Sequence, residues 1–207
     1  WPLLQTERNG FRIDLCLVNA LTVLGRWADL RDWLQSRRWD QLDPLRRAVV
    51  LRARRELGEP FEGDWRKLTS ELNDTPDALL LVAQAALSWG WKAEAETLLW
   101  RAAQKTIAIR LSALRLLWTQ YASEDRTNDL LRVAREQYTD APESIETRNN
   151  YAFLSLLLDV NLETAHRLAR EIGSPMDAPV ECVVTYAFSL CKLGSAPAAM
   201  ERLAKVH

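Results

Sequence analysis

The chain has 207 residues and a formal net charge of −1, with 48% hydrophobic and 27% charged residues. That balance gives no global attraction to nucleic acid or to an anionic membrane, and its apolar content suffices for a continuous core. No apolar run approaches the roughly 20 residues needed to cross a bilayer, and no stretch has the composition of a disordered tail. Arg outnumbers Lys 22 to 5, which reads first as genome composition of a bacterial kind and second as a preference for bidentate contacts. The three cysteines are Cys16, Cys182 and Cys191. The last two share one predicted helix and are too far apart along its axis to bridge. An odd count without a framework fits buried free thiols and favours a reducing compartment such as the cytoplasm. The chain begins at Trp1 and reads as a piece of a longer polypeptide.

Taken in order, residues 1–10 form a lead-in. A first helix pair follows from Phe11, with Ile13, Cys16, Leu17, Ala20, Leu21 and Leu24 as its stripe, a turn at Gly25, and then Trp27, Leu30, Trp33 and Leu34. Asp43 and Pro44 open a second pair with Leu45, Ala48, Val49 and Ala53 on one face. Gly58 to Asp64 connects it to a short helix carrying Trp65, Leu68 and Leu72. Thr75 and Pro76 start a third pair. Leu79, Val82, Ala83 and Ala86 face one way on its first helix, Gly90 turns the chain, and Ala95, Leu98, Leu99 and Ala102 face back from its second. Three further pairs have turns at Asp125, Asp159 and Gly194. Ala83, Ala152 and Ala187 occupy one matching small position and are expected at close helix contacts.

The six turn residues Gly25, Gly58, Gly90, Asp125, Asp159 and Gly194 are 33, 32, 35, 34 and 35 residues apart. With Leu79, Val82, Ala83, Gly90, Ala95, Leu99 and Ala102 in one repeat, Tyr151, Ala152 and Ala165 in another, and Tyr186, Ala187, Gly194, Ala199 and Leu203 in a third, this pattern resembles the tetratricopeptide repeat. The resemblance is best over residues 76–207. It implies an all-α fold: one right-handed superhelix of about six antiparallel helix pairs, near 11–43, 44–75, 76–110, 111–144, 145–179 and 180–207.

A fold of this kind is a way of binding rather than a reaction. The resemblance implies a scaffold that holds a peptide or partner protein on the concave face built by the first helix of each pair, with no cofactor. By the repeat register Asn19, Gln84, Arg115, Thr119 and Asn149 face that side. The Lys–Asn clamp with which some members grip a C-terminal carboxylate is not reproduced in order. Arg52 and Arg55, three apart on one helix, project from neighbouring positions and favour an acidic peptide. The stretch from Arg31 to Arg55 holds eight Arg against Asp32, Asp40 and Asp43, 8 − 3 = +5, and is either a solvated face or the acidic-partner patch. Arg52 and Arg55 could instead pair with Glu56, Glu59 or acids of the next repeat. Nucleic acid is disfavoured by a pI near 6.2.

Catalytic patterns are sparse. His166 lies beside the packing positions Ala165 and Ala169, and His207 ends the chain. Ser88 lacks the first glycine and the strand of a nucleophile elbow. There is no CxxC, no HExxH, no EF-hand loop and no phosphate loop. The nine tryptophans fall mostly at helix ends and stripe positions; they are core and boundary packing or an aromatic rim to a groove. Trp89 and Trp91 flank Gly90, so at least one should lie near the surface. The last helix, with Ala199, Leu203 and Val206, leaves an open end suited to self-association. The alternative to a scaffold is a regulatory or substrate-binding segment of an enzyme whose catalytic domain lies elsewhere.

Overall fold

The computed structural model describes residues 2–204, with side chains from Ile13 onward. Trp1, the side chains of the expected lead-in, Phe11, Val206 and His207 lie outside the described residues. Twelve α-helices and two short 3-10 turns account for the described chain, and no strand occurs among the described residues. The helices are α1 (Pro2–Val23), α2 (Trp27–Gln35), α3 (Asp43–Glu56), α4 (Glu62–Glu71), α5 (Pro76–Ser88), α6 (Lys92–Ala102), α7 (Ile107–Ser123), α8 (Thr127–Asp140), α9 (Ile145–Leu157), α10 (Leu162–Gly173), α11 (Val180–Lys192) and α12 (Ala196–Leu203). They gather into two compact units, Trp1–Ala113 and Leu114–His207. The expected lead-in is part of α1, which is helical from Pro2. No helix among the described residues is long and apolar enough to cross a membrane.

The periodic turns have one physical form. Helices α1, α3, α5, α7, α9 and α11 all end on a residue with left-handed backbone: φ is 63° at Gly25, 71° at Gly58, 78° at Gly90, 54° at Asp125, 56° at Asp159 and 77° at Gly194. At each turn the next amide reaches back five residues, as in Arg26 N–H to Leu21 O (2.9 Å), Trp91 N–H to Ala86 O (2.9 Å) and Val160 N–H to Ser155 O (3.0 Å). This is the Schellman motif, which satisfies carbonyls that the helix end would otherwise leave without donors. The inner bond shows the cost of a side chain at this position. It measures 3.0–3.1 Å at the four glycines and 3.4 Å at Asp125 and Asp159. Left-handed backbone crowds the Cβ of an L-residue, which glycine lacks. Asp125→Gly is therefore expected to stabilise the chain by about 0.5–1 kcal/mol, and Gly90→Ala to destabilise it by about 1 kcal/mol. Urea unfolding of the two variants measures both, and a destabilising Asp125→Gly would show that the turn is not strained.

In the first unit, Leu30, Leu34, Trp39, Val49 and Ala53 form a core against which Leu15, Val18, Leu21 and Trp27 pack. The stripe expected on α1 is displaced. Ile13 is 56% and Leu24 68% exposed, and Cys16 and Ala20 also face solvent. Among the described side chains of that helix the buried one is Asp14, whose carboxylate accepts the indole N–H of Trp33 (3.0 Å) and of Trp39 (2.9 Å) and lies 3.5 Å from Arg37. A carboxylate on the inward face inverts a purely apolar pattern, and the two indole donors are what make its burial tolerable. On α5 and α6 the expected faces hold. Leu79, Val82, Ala83, Ala86, Ala95, Leu99 and Ala102 are fully buried.

In the second unit, Leu131, Ala134, Tyr151, Ala152, Leu154, Leu156, Ala165, Leu168 and Ala169 form one core, with Tyr138 stacked on Tyr151 at 5.1 Å. Ala152 and Ala187 are buried, like Ala83 in the first unit. On α12, Ala199 is buried while Met200 and Leu203 are exposed.

The arginine excess has a structural use. Arg46 donates to Leu34 O (2.8 Å), Arg101 to Thr69 O (2.5 Å), Arg110 to Ala103 O (2.7 Å) and Arg202 to Gly173 O (2.9 Å). Each closes the C-terminal end of a second helix: α2, α4, α6 and α10. These ends lack the Schellman turn of the first helices, and a fork of charged donors at the negative end of the helix supplies what is missing.

Candidate functional site

The candidate site stands in the first unit, at the turns of three successive helix pairs. Trp27 starts α2, Arg52 and Arg55 lie near the end of α3, and Trp89 and Trp91 flank the Gly90 turn. The Arg52 guanidinium carbon lies 5.0 Å from the Trp27 ring centre and 5.2 Å from that of Trp89. Trp89 meets Trp91 edge to face at 5.3 Å, and Trp91 meets Trp65 in the same way at 5.3 Å and Phe61 at 5.6 Å. Arg55 lies over Trp91 at 4.5 Å. The result is an aromatic ladder with two cations set into it, each attracted to ring faces at a separation where that attraction counts. Trp91 is buried and Trp89 half-buried, so the expectation that one of them lies near the surface is met by Trp89.

The two arginines differ in charge balance. Arg55 donates to Glu94 on α6 at 2.9 Å. Among the described residues Arg52 has no carboxylate within ion-pair distance, and its Nε–H is buried without an acceptor. Burial pulls the Arg52 guanidinium below its ordinary pKa, partly offset by the charge of Glu56 one turn on. It nevertheless stays cationic at neutral pH, since an arginine starts so far above that range.

The +5 stretch is mostly neutralised by acids from outside it. Arg31 pairs with Glu59, Arg47 with Glu71 (2.6 Å), Arg54 with Asp64 (2.5 Å), Arg55 with Glu94 and Arg37 with Asp14. Arg46 pairs locally with Asp43. Pairing with acids of the following helices therefore accounts for Arg55, one of the two arginines expected to take an acidic peptide. Arg46, Arg47, Arg54, Asp64 and Lys67 also border a cleft of about 210 Å³ between α3 and α4, on the side of α3 away from Arg52.

Of the other expected site residues, Asn19 on α1 and Gln84 on α5 are exposed in the first unit. In the second unit Arg115 and Thr119 are exposed on α7, where the Thr119 hydroxyl donates to Arg115 O at 3.0 Å. Asn149 on α9 is buried, with its Oδ1 lacking a donor, and does not offer its amide at the surface. The geometry thus joins Arg52 and Arg55 and adds Trp27 and Trp89, which the sequence left between packing and an aromatic rim. A signal was present: tryptophans stand beside the turns of the first and third helix pairs, on either side of the pair that carries Arg52.

His166 is half-buried and its Nδ1 lies 2.7 Å from the Ser189 hydroxyl, but Ser189 is only 1% exposed. A hydroxyl so enclosed cannot meet a substrate, and the pair joins α10 to α11. All three thiols are free. The expectation of burial holds for Cys182 alone, whose thiol is pushed up by burial and by Glu181 and stays protonated. Cys16 and Cys191 are exposed, Cys16 because α1 turns its Asp14 side inward. No cluster of three or more metal-binding side chains occurs among the described residues.

Fold and site together define an all-α protein of helix pairs with a helical-repeat pattern. No protein-family model matches the chain, and no curated protein matches it significantly.

Proposed function

We propose that the chain is an interaction module of the tetratricopeptide-repeat kind: a right-handed α-solenoid that binds a peptide or partner protein through the concave face of its first helices. A partner of acidic character suits it best. The observation that carries this reading is Arg52, a half-buried cation on a first helix with no carboxylate partner among the described residues and two tryptophans beside it. A folded chain seldom leaves a partly desolvated guanidinium unpaired, because desolvation is costly without a compensating acceptor. Asn19 and Gln84, exposed on the first helices before and after it, supply further polar contacts.

The test is selection of binders from a displayed library of random peptides, followed by affinity measurements at two salt concentrations. Enriched peptides should be acidic. The double reversal Arg52→Glu, Arg55→Glu should weaken them by roughly tenfold or more and flatten the salt dependence. An absence of enriched peptides would count against the module. Unchanged affinity and salt dependence in the reversed variant would remove acidic recognition at this face.

A further inference from the structure

Of the two arginines that the sequence pairs as acidic-peptide ligands, only one is chemically open. Arg55 already has its carboxylate in Glu94, on a helix of the same unit. The Trp27 and Trp89 ring centres lie 5.0 and 5.2 Å from the Arg52 guanidinium carbon, and an indole offers no acceptor atom. The Arg52 Nε–H is buried, which leaves the terminal N–H groups to meet the two oxygens of a carboxylate.

We propose that Arg52 is a carboxylate-binding residue. Its terminal N–H groups take one carboxylate group of a protein or peptide, while Trp27 and Trp89, beside the guanidinium, act as positioning residues. This deepens the interaction reading above and rests on it. The charge favours a monoanion over a phosphate. A dianion needs a second free cation, and the nearest one along the helix is neutralised by Glu94, while Glu56 stands one turn from Arg52. Lysine would not serve, because an ammonium group lacks the paired planar donors of a guanidinium.

The shared ligand chemistry has two sources, an acidic side chain and a chain terminus, and two probes separate them. Acetyl-triglutamate amide carries side-chain carboxylates only, and acetyl-trialanine free acid carries a terminal one only. Each is titrated into the full chain while the Nε–H signal of Arg52 and the indole N–H signals of Trp27 and Trp89 are followed by NMR, with sodium chloride matched throughout. At least one probe should give a saturable shift of all three signals. Arg52→Lys should weaken that binding by roughly tenfold, and Arg47→Gln, on the opposite side of α3, should change it by less than about twofold. The proposal is overturned if neither probe saturates, if Arg52→Lys binds as the parent does, if Arg47→Gln loses binding equally, or if inorganic phosphate binds more tightly than both probes. Library-selected peptides that bind Arg52→Lys undiminished would also overturn it while leaving the interaction module standing. Saturable probe binding with no selected peptides would do the reverse.

Discussion

Gly173→Ala is expected to destabilise the chain by about 3 kcal/mol, the upper end of the range for overpacking, and to lower its melting temperature by roughly 6–12 °C. A methyl group built on Gly173 would lie 2.4 Å from the carbonyl oxygen of Cys182 and 2.5 Å from Cβ of Tyr186. Both are far inside contact distance, and one is backbone, so no rotamer change can relieve the clash. The end of α10 must move away from α11. The same residue's carbonyl accepts the Arg202 Nε–H at 2.9 Å, so displacement also loosens α12. Alanine gains about 1 kcal/mol over glycine in helix propensity, which works against the effect and is outweighed. Thermal unfolding followed by circular dichroism measures it. A variant that melts at or above the parent temperature would show that α10 and α11 are not in contact there.

Arg46→Leu is expected to cost about 2–3 kcal/mol, although it replaces a charge with an apolar side chain in a buried position. Arg46 is 5% exposed. It donates to both carboxylate oxygens of Asp43, at 2.6 and 3.1 Å, and to the Leu34 carbonyl at the end of α2 at 2.8 Å. Leucine fills part of the space but leaves the carbonyl without its donor and the carboxylate without its counter-charge. The additional change Asp43→Asn should restore part of the loss by removing the orphaned charge. The pair also sets a pH dependence. Hydrogen bonds from Arg46 hold the Asp43 carboxyl below the usual aspartate range, against an opposing effect of burial, with the charge of Arg46 and the Trp39 N–H adding to the lowering. A carboxylate depressed on folding stabilises the fold fully above its unfolded pKa of about 3.9, and that contribution is lost as pH falls through the folded value. Acid titration of stability should therefore be less steep below about pH 4 in Arg46→Leu than in the parent. Equal stability of parent and variant at neutral pH, or parallel acid profiles, would contradict this account.

The repeating architecture was legible in the residues themselves. The turn markers recur at nearly constant spacing, and all six adopt left-handed backbone, including the two aspartates. Such turns are local. Their geometry follows from a missing or short polar side chain and from hydrogen bonds spanning six residues, so sequence carries them directly. The apolar faces of α5 and α6 were equally plain, because a helical period with no competing polar residue admits one inward side. The resemblance to tetratricopeptide repeats rests on these same local features.

Tertiary structure decided the rest. Which face of α1 turns inward depends on Trp33 and Trp39, distant in sequence, supplying donors to Asp14. The need for glycine at 173 comes from the approach of α11, not from its own backbone, and nothing in the local sequence announces it. Charge balance is a property of neighbours in space. The run from Arg31 to Arg55 is strongly basic along the chain, yet Glu59, Asp64, Glu71, Glu94 and Asp14 neutralise most of it once the helices pack. Only packing could single out Arg52, because being left unpaired depends on where every other carboxylate has gone. Local spacing therefore determined the helices and their turns, while long-range partners selected the buried acid, the obligatory glycine and the Arg52 guanidinium beside two tryptophans.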